Sequence, residues 1–210
     1  MATSPTSGMP GIRGRLLVVS GPSGVGKSSV VAAVAAARPD LMVSVSVTTR
    51  PPRRGEGQGR HYRFVRREEF EQLREGGGLL EWAEVYGHYY GTPRAPVEEA
   101  LAGGRDVLLE IDVQGARQVK AACTEALLVF VMPPSAEELA RRLGKRGTED
   151  EAGKQRRLAA AAREMRQSGH FDEIVVNDDF DRAATEVLRL LTAGPSGRDP
   201  EGNDPGENAT

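Results

Sequence analysis

Eight residues near the amino end have the types and spacing of a phosphate cradle. Gly21, Pro22, Ser23, Gly24, Val25, Gly26, Lys27 and Ser28 fit the pattern G-x-x-x-x-G-K-[ST] in full, and Ser29 follows. Each fixed position has a chemical reason. The glycines let successive backbone N–H groups curl round phosphate oxygens, and a helix opening at Lys27 adds the positive end of its dipole. Lys27 then reaches the terminal phosphates of a nucleoside triphosphate, and the Ser28 hydroxyl is a ligand for Mg²⁺. With 25 glycines and four lysines in 210 residues, a chance match has odds of roughly half a percent. The pattern also follows an apolar run and opens a helical one, as the chemistry requires.

Other residues could complete such a site. The run Leu-Leu-Glu-Ile-Asp at 108–112 is apolar and ends in acids, as a strand holding Mg²⁺ through water would. Apolar strands also end in merely solvated acids, so Glu110 and Asp112 alone leave both readings open. A phosphate loop leaves open whether water or another metabolite receives the phosphoryl group. Arg50 and Arg53 follow a strand-like run with Tyr62 nearby, a set able to clamp a monophosphate through charge-assisted hydrogen bonds. The arginine-dense segment 141–166 could lay positive charge over a transferring phosphoryl group. Two solvated basic faces are the competing description. Arginine abundance proves little here, since 24 of the 28 basic residues are arginine throughout the chain.

The elements that must position these groups alternate. An apolar run at 15–20 reads as a strand buried on both faces, and 27–37 as a helix stopped by Pro39. Residues 41–47 read as one further strand. The next 50 or so residues change character: prolines, glycines and seven arginines within 50–67 precede aromatic strand-like pieces near 62–64, 79–85 and 88–90 and a helix at 68–75. A helix at 97–102 leads to strands at 106–112 and 126–132. Ser135 then opens a helix, with Glu138 at the capping-box spacing. The polar stretch 141–166 reads as two helices joined by a turn at 144–150, with Gly153 weakening the second. A strand at 174–177 and an amphipathic helix at 181–191 close the pattern. Strand–helix alternation with buried strands predicts a parallel α/β sheet of P-loop NTPase type.

Composition sets limits. Charges balance to −2, which argues against a bulk nucleic-acid binder, and no apolar run is long enough to span a membrane. Residues 1–13 lack an apolar stretch, so no secretory signal is expected there, and Cys123, the one cysteine, excludes an internal disulfide. A cytoplasmic location is expected. Residues 1–13 and the acidic stretch 193–210 read as disordered tails. Trp82 reads as core packing rather than base stacking, Cys123 as buried and inert on a helix, and the three histidines show no ligand spacing.

Eight blocks carry a resemblance. Ser-Gly-Pro-Ser-Gly-Val-Gly-Lys-Ser-Ser (20–29), Val-Thr-Thr-Arg-Pro-Pro-Arg-Arg-Gly-Glu (47–56), His-Tyr-Arg-Phe-Val (61–65) and Leu-Leu-Glu-Trp-Ala-Glu-Val-Tyr-Gly-His-Tyr-Tyr-Gly-Thr (79–92) resemble guanylate kinase. So do Leu-Glu-Ile-Asp-Val-Gln-Gly-Ala (109–116), Phe-Val-Met-Pro-Pro-Ser (130–135), Arg-Leu-Gly-Lys-Arg-Gly-Thr-Glu (142–149) and Ile-Val-Val-Asn-Asp-Asp (174–179). They fall in family order over 14–192.

The resemblance implies Mg²⁺-dependent phosphoryl transfer from ATP to GMP, and to dGMP, in purine nucleotide metabolism. It implies a core (14–46, 106–136, 169–192), a GMP-binding insertion (47–105) and a helical lid (137–168). Ser46, Arg50, Arg53, Tyr62, Glu81, Tyr90, Thr92 and Asp112 would surround GMP. Arg142, Arg146 and Arg157 would reach the phosphates when the lid closes, and Asn177 falls near the adenine side. Guanine's N1–H and N2–H₂ would meet Glu81, and Ser46 or Thr92 would donate to O6. The expected partners are small molecules, with no nucleic acid or membrane, and the particle a monomer or weak homo-oligomer. Val47, where a small hydroxyl residue is usual, should face the core; Glu110 stands where an aspartate also occurs. A catalytically inactive interaction module and a kinase for another nucleoside monophosphate are the alternatives.

Overall fold

A computed structural model describes residues 14–53, 55–59, 62–144 and 151–193. The first strand, β1 (Leu16–Ser20), has five buried residues in succession, as the unbroken apolar run requires. It lies at the centre of a five-stranded sheet in the order β2 (Met42–Val43), β7 (Val107–Glu110), β1, β8 (Leu127–Met132), β9 (Glu173–Val176). Every pairing is parallel, with Val18 opposite Leu109 on one side and Leu128 on the other. Side-chain alternation then sorts the core. Leu17, Val19, Val129 and Val131 face α1 (Lys27–Ala37) and α7 (Phe180–Ala193). Leu16, Val18, Leu109 and Leu128 face α3 (Arg94–Ala102) and α4 (Val113–Ala122).

The stretch expected as one strand at 41–47 is two. Met42–Val43 ends the large sheet, and β3 (Val47–Thr48) opens a second sheet in the order β4 (Arg63–Phe64), β3, β6 (His88–Pro93), β5 (Leu79–Val85). An alternating apolar pattern cannot say with which sheet each half pairs. Val47 is fully buried, packed with Phe70 of α2 (Arg67–Glu75) and Leu79. Trp82 packs beside them, edge to face with Tyr89. Strands β5 and β6 turn at Tyr86 and Gly87, whose φ of 52° and 79° match a two-residue hairpin.

Helix α3, expected as the end of the 47–105 segment, packs Val97 and Leu101 beneath the large sheet and so belongs to its core. Cys123 caps the end of α4 and is half-buried. Helices α5 (Ala136–Gly144) and α6 (Glu151–Met165) share a small apolar cluster of Leu139, Leu143 and Ala161. The Ser135 hydroxyl accepts the Glu138 N–H at 3.1 Å, but the Glu138 side chain pairs with Arg141 and Arg142 rather than completing a capping box. Both ends meet at the amino edge of the large sheet: the Gly14 N–H donates to Leu101 C=O, and the Arg15 guanidinium donates to Leu191 C=O at 2.9 Å. Residues 1–13, 145–150 and 194–210 lie outside the described residues, among them the turn expected at 144–150 beyond its first residue. No described helix is long and apolar enough to cross a membrane.

Candidate active site

The loop from β1 to α1 is held from behind. Val25 is fully buried, and its C=O accepts from the Asn177 side-chain amide at 2.7 Å and from Arg142 at 3.1 Å. Gly24 and Gly26 have φ of 85° and 101°, and a Cβ at Gly26 would lie 2.6 Å from Asn177 Nδ2. At Gly24 it would lie 2.7 Å from Leu143, so α5 rests directly on the loop. The Lys27 ammonium donates to Gly21 C=O at 2.6 Å and Pro22 C=O at 3.2 Å. Gly26 precedes α1 with no side-chain cap, and the positive end of the α1 dipole lies at the cleft that Lys27, Ser28 and Ser29 line. Ser28 Oγ donates to Glu110 Oε1 at 2.6 Å, at the carboxyl end of β7.

Opposite the loop, Ser46, Arg53, Tyr62, Glu81, Tyr90 and Asp112 line the same cleft, whose volume is about 320 Å³. Glu81, from β5, is 3% exposed, and Thr92 Oγ1 on the facing strand donates to its Oε1 at 2.6 Å. Burial pushes its carboxyl up to about 7; the Asp112 charge adds to the rise, and the Thr92 hydrogen bond opposes it. Asp112 is the N-cap of α4, its Oδ1 accepting the Gly115 N–H at 2.8 Å. Thr92 itself is buried and does not line the cleft.

Arg50 also stands back from the cleft. Its guanidinium makes a two-pronged pair with Glu56 at 3.0 Å on each arm and donates to the Tyr90 hydroxyl at 3.1 Å. That pairing holds the Glu56 carboxyl below the usual range. Tyr62 sits edge-on to Tyr90, and burial raises its phenol. Arg142 points away from the front of the loop, toward Glu138 and the carbonyls of Val25 and Asn177. Arg157 is half-buried on α6, and Arg146 lies outside the described residues.

Three contributors are not among the expected site residues. Glu56 closes the 47–56 block and is the lone acid among the arginines of 50–67, but neither signal assigns it a role. Tyr86 lines the cleft from the hairpin turn. Glu164 reaches the cleft from α6; burial raises its carboxyl, against the pull of Lys27 and a hydrogen bond from the Ser23 N–H. Its only sequence signal is an acid within a basic lid segment.

A parallel sheet flanked by helices, a glycine loop that opens a helix and a carboxylate-bearing cleft over it define a P-loop nucleotide-binding protein. The family model described as Guanylate kinase matches residues 13–194. A guanylate kinase of Parasynechococcus marenigrum is 51% identical over 86% of this chain and all of its own length. One of Thermus thermophilus is 54% identical over 88% of this chain and 82% of its own. The solved guanylate kinase of Anaplasma phagocytophilum superposes with a TM-score of 0.72 at 36% identity, covering 89% of this chain and 88% of that one. The chain belongs to the guanylate kinase family and is an enzyme of that kind.

Proposed function

We propose that the enzyme transfers the γ-phosphoryl group of ATP to GMP, and to dGMP, yielding ADP and GDP. The observation that carries this is a buried carboxylate, Glu81, in the cleft that also holds the Lys27 loop. Guanine offers N1–H and N2–H₂ on one edge, and a carboxylate accepts both. Adenine presents an acceptor at N1, which would leave the buried Glu81 charge unpaired. Ser46 is the donor for O6, while the Thr92 hydroxyl, already donating to Glu81, acts by orienting it.

Arg50, Arg53, Tyr62 and Tyr90 hold the GMP phosphate. One of its oxygens attacks the γ-phosphorus as the bond from that phosphorus to the β,γ-bridging oxygen breaks, and ADP departs. The attacking group is already ionised, so no general base is required. Lys27 and the backbone N–H groups of the 21–29 loop, Pro22 having none, cradle the donor phosphates. Arg142, Arg146 and Arg157 add charge when the lid closes, for which Arg142 must leave the Val25 and Asn177 carbonyls. Closure also excludes water that would otherwise hydrolyse ATP.

Mg²⁺ fits the residues present: the Ser28 hydroxyl and Glu110 carboxylate are adjacent hard oxygen donors, and this ion keeps most of its water and phosphate ligands. When bound, it neutralises charge on the β- and γ-phosphates. Division into a core, a GMP-binding insertion and a lid accompanies this function, as do a cytoplasmic location, a role in purine nucleotide metabolism and a monomer or weak homo-oligomer. The test is ADP formation from ATP with each nucleoside monophosphate in turn. GMP and dGMP should be used far better than AMP, CMP or UMP; equal rates with AMP would overturn the proposal.

A further inference from the structure

Glu81 is held on three sides. Its own strand is stitched to α4, because the Gln118 side chain accepts the Trp82 N–H at 3.2 Å and donates to the Trp82 C=O at 2.6 Å. Thr92 holds Oε1. The third side is Gly115, on the first turn of α4 and one turn before Gln118. A Cβ at Gly115 would lie 2.2 Å from Glu81 Oε2 and 2.9 Å from its Cδ. The backbone of Gly115 is helical, and its N–H caps onto Asp112, so no left-handed conformation demands glycine there. What the position lacks is a side chain.

We infer that Gly115 is a specificity-determining position: its missing Cβ is the space that lets the Glu81 carboxylate lie across the start of α4 and meet the guanine edge. The inference rests on the GMP-binding role proposed for Glu81. Because Gln118 pins both backbone groups of the next residue, β5 cannot back away from α4. An added methyl must therefore be accommodated by the Glu81 side chain, whose carboxylate end can rotate while its backbone stays put. Alanine is a better helix former than glycine, so the substitution does not weaken α4 itself. The effect should fall on nucleobase recognition and leave the fold standing.

The experiment compares the parent chain, Gly115→Ala, Glu81→Gln and the double variant, with GMP, inosine monophosphate (which lacks the 2-amino group) and AMP as acceptors. Gly115→Ala should raise KM for GMP by about tenfold to a hundredfold, the worth of hydrogen bonds to a charged group. The preference for GMP over inosine monophosphate should shrink, while KM for ATP and the thermal midpoint stay within the parent's range. In the double variant, adding Gly115→Ala should change KM for GMP less than about twofold beyond Glu81→Gln alone, since the methyl acts only through that carboxylate. Additive losses, an unchanged KM for GMP in Gly115→Ala, or a large drop in its thermal midpoint would each overturn the inference while leaving the proposed function intact. A parent chain that does not phosphorylate GMP would overturn both.

Discussion

Ser28 Oγ and Glu110 Oε1 stand 2.6 Å apart although 82 positions separate them in the chain. The contact follows from β1 and β7 being neighbours in the parallel sheet, so that the start of α1 and the carboxyl end of β7 open on the same point. Two hard oxygens there suit a divalent cation that also binds triphosphate. Ser28→Ala should raise the Mg²⁺ concentration for half-maximal turnover by about tenfold. GMP binding, measured calorimetrically without Mg²⁺, should not change. An unaltered Mg²⁺ titration would remove Ser28 from the proposed metal site.

Lys27 is the one residue whose charge the phosphate loop cannot supply from backbone amides. Lys27→Ala should lower kcat by about a hundredfold or more, as for other lost transition-state contacts, while GMP still binds. Turnover at the parent rate would contradict its role. Loss of GMP binding as well would indicate a damaged fold, which circular dichroism would detect.

With Glu81 in its proposed role, its raised carboxyl should make GMP recognition depend on pH. Only the ionised form accepts both guanine donors, and its pKa is about 7 in the free protein. KM for GMP should therefore fall as pH rises toward 8 and be about tenfold higher at pH 6 than on the plateau. In Glu81→Gln this component should vanish, leaving only the second ionisation of the GMP phosphate itself. Stability should move the opposite way. The folded state holds this proton more tightly than the unfolded chain, so the contribution of Glu81 is favourable at low pH and lost as pH rises from the ordinary carboxyl range through 7. Relative to the parent, Glu81→Gln should gain thermal midpoint above pH 7.

The proposed closure of α5 and α6 should change the particle's shape. GMP with a non-hydrolysable ATP analogue should reduce the radius of gyration in solution scattering, whereas GMP alone should act less on α5 and α6. Identical profiles with and without both ligands would argue against lid movement.

Phe130 is fully buried at the centre of β8 and meets Phe171 edge to face with ring centroids 5.0 Å apart. Phe130→Ala should destabilise the enzyme by about 3–5 kcal/mol, a fall of about 10 °C in Tm. A loss under about 1 kcal/mol in urea denaturation would show that the site collapses around the missing ring.

The phosphate loop is legible in the sequence because its chemistry is local: eight consecutive residues, a strand before and a helix after. The large sheet is legible because strands buried on both faces leave continuous apolar runs such as 16–20. Less can be read where the outcome depends on distant partners. Nothing within 41–47 says that Met42 pairs toward Val107 while Val47 pairs toward Arg63 and Gly91. The family resemblance makes Thr92 a donor to guanine, yet its hydroxyl is turned to Glu81 by a register that only the folded hairpin defines. Arg50 and Arg142 are identifiable as cations, but not their engagement with Glu56 and with the carbonyls behind the loop. Glu164 depends on where α6 lands, which no local pattern encodes.

The entry and exit of the described chain lie together, with Arg15 bonded to Leu191, on the side of the sheet remote from the carboxyl ends of β1 and β7. A purification handle, a fluorophore or a tether to a surface fused directly at residue 14 or residue 193 therefore departs from the back of the molecule. Immobilised enzyme should keep its mouth open to solution.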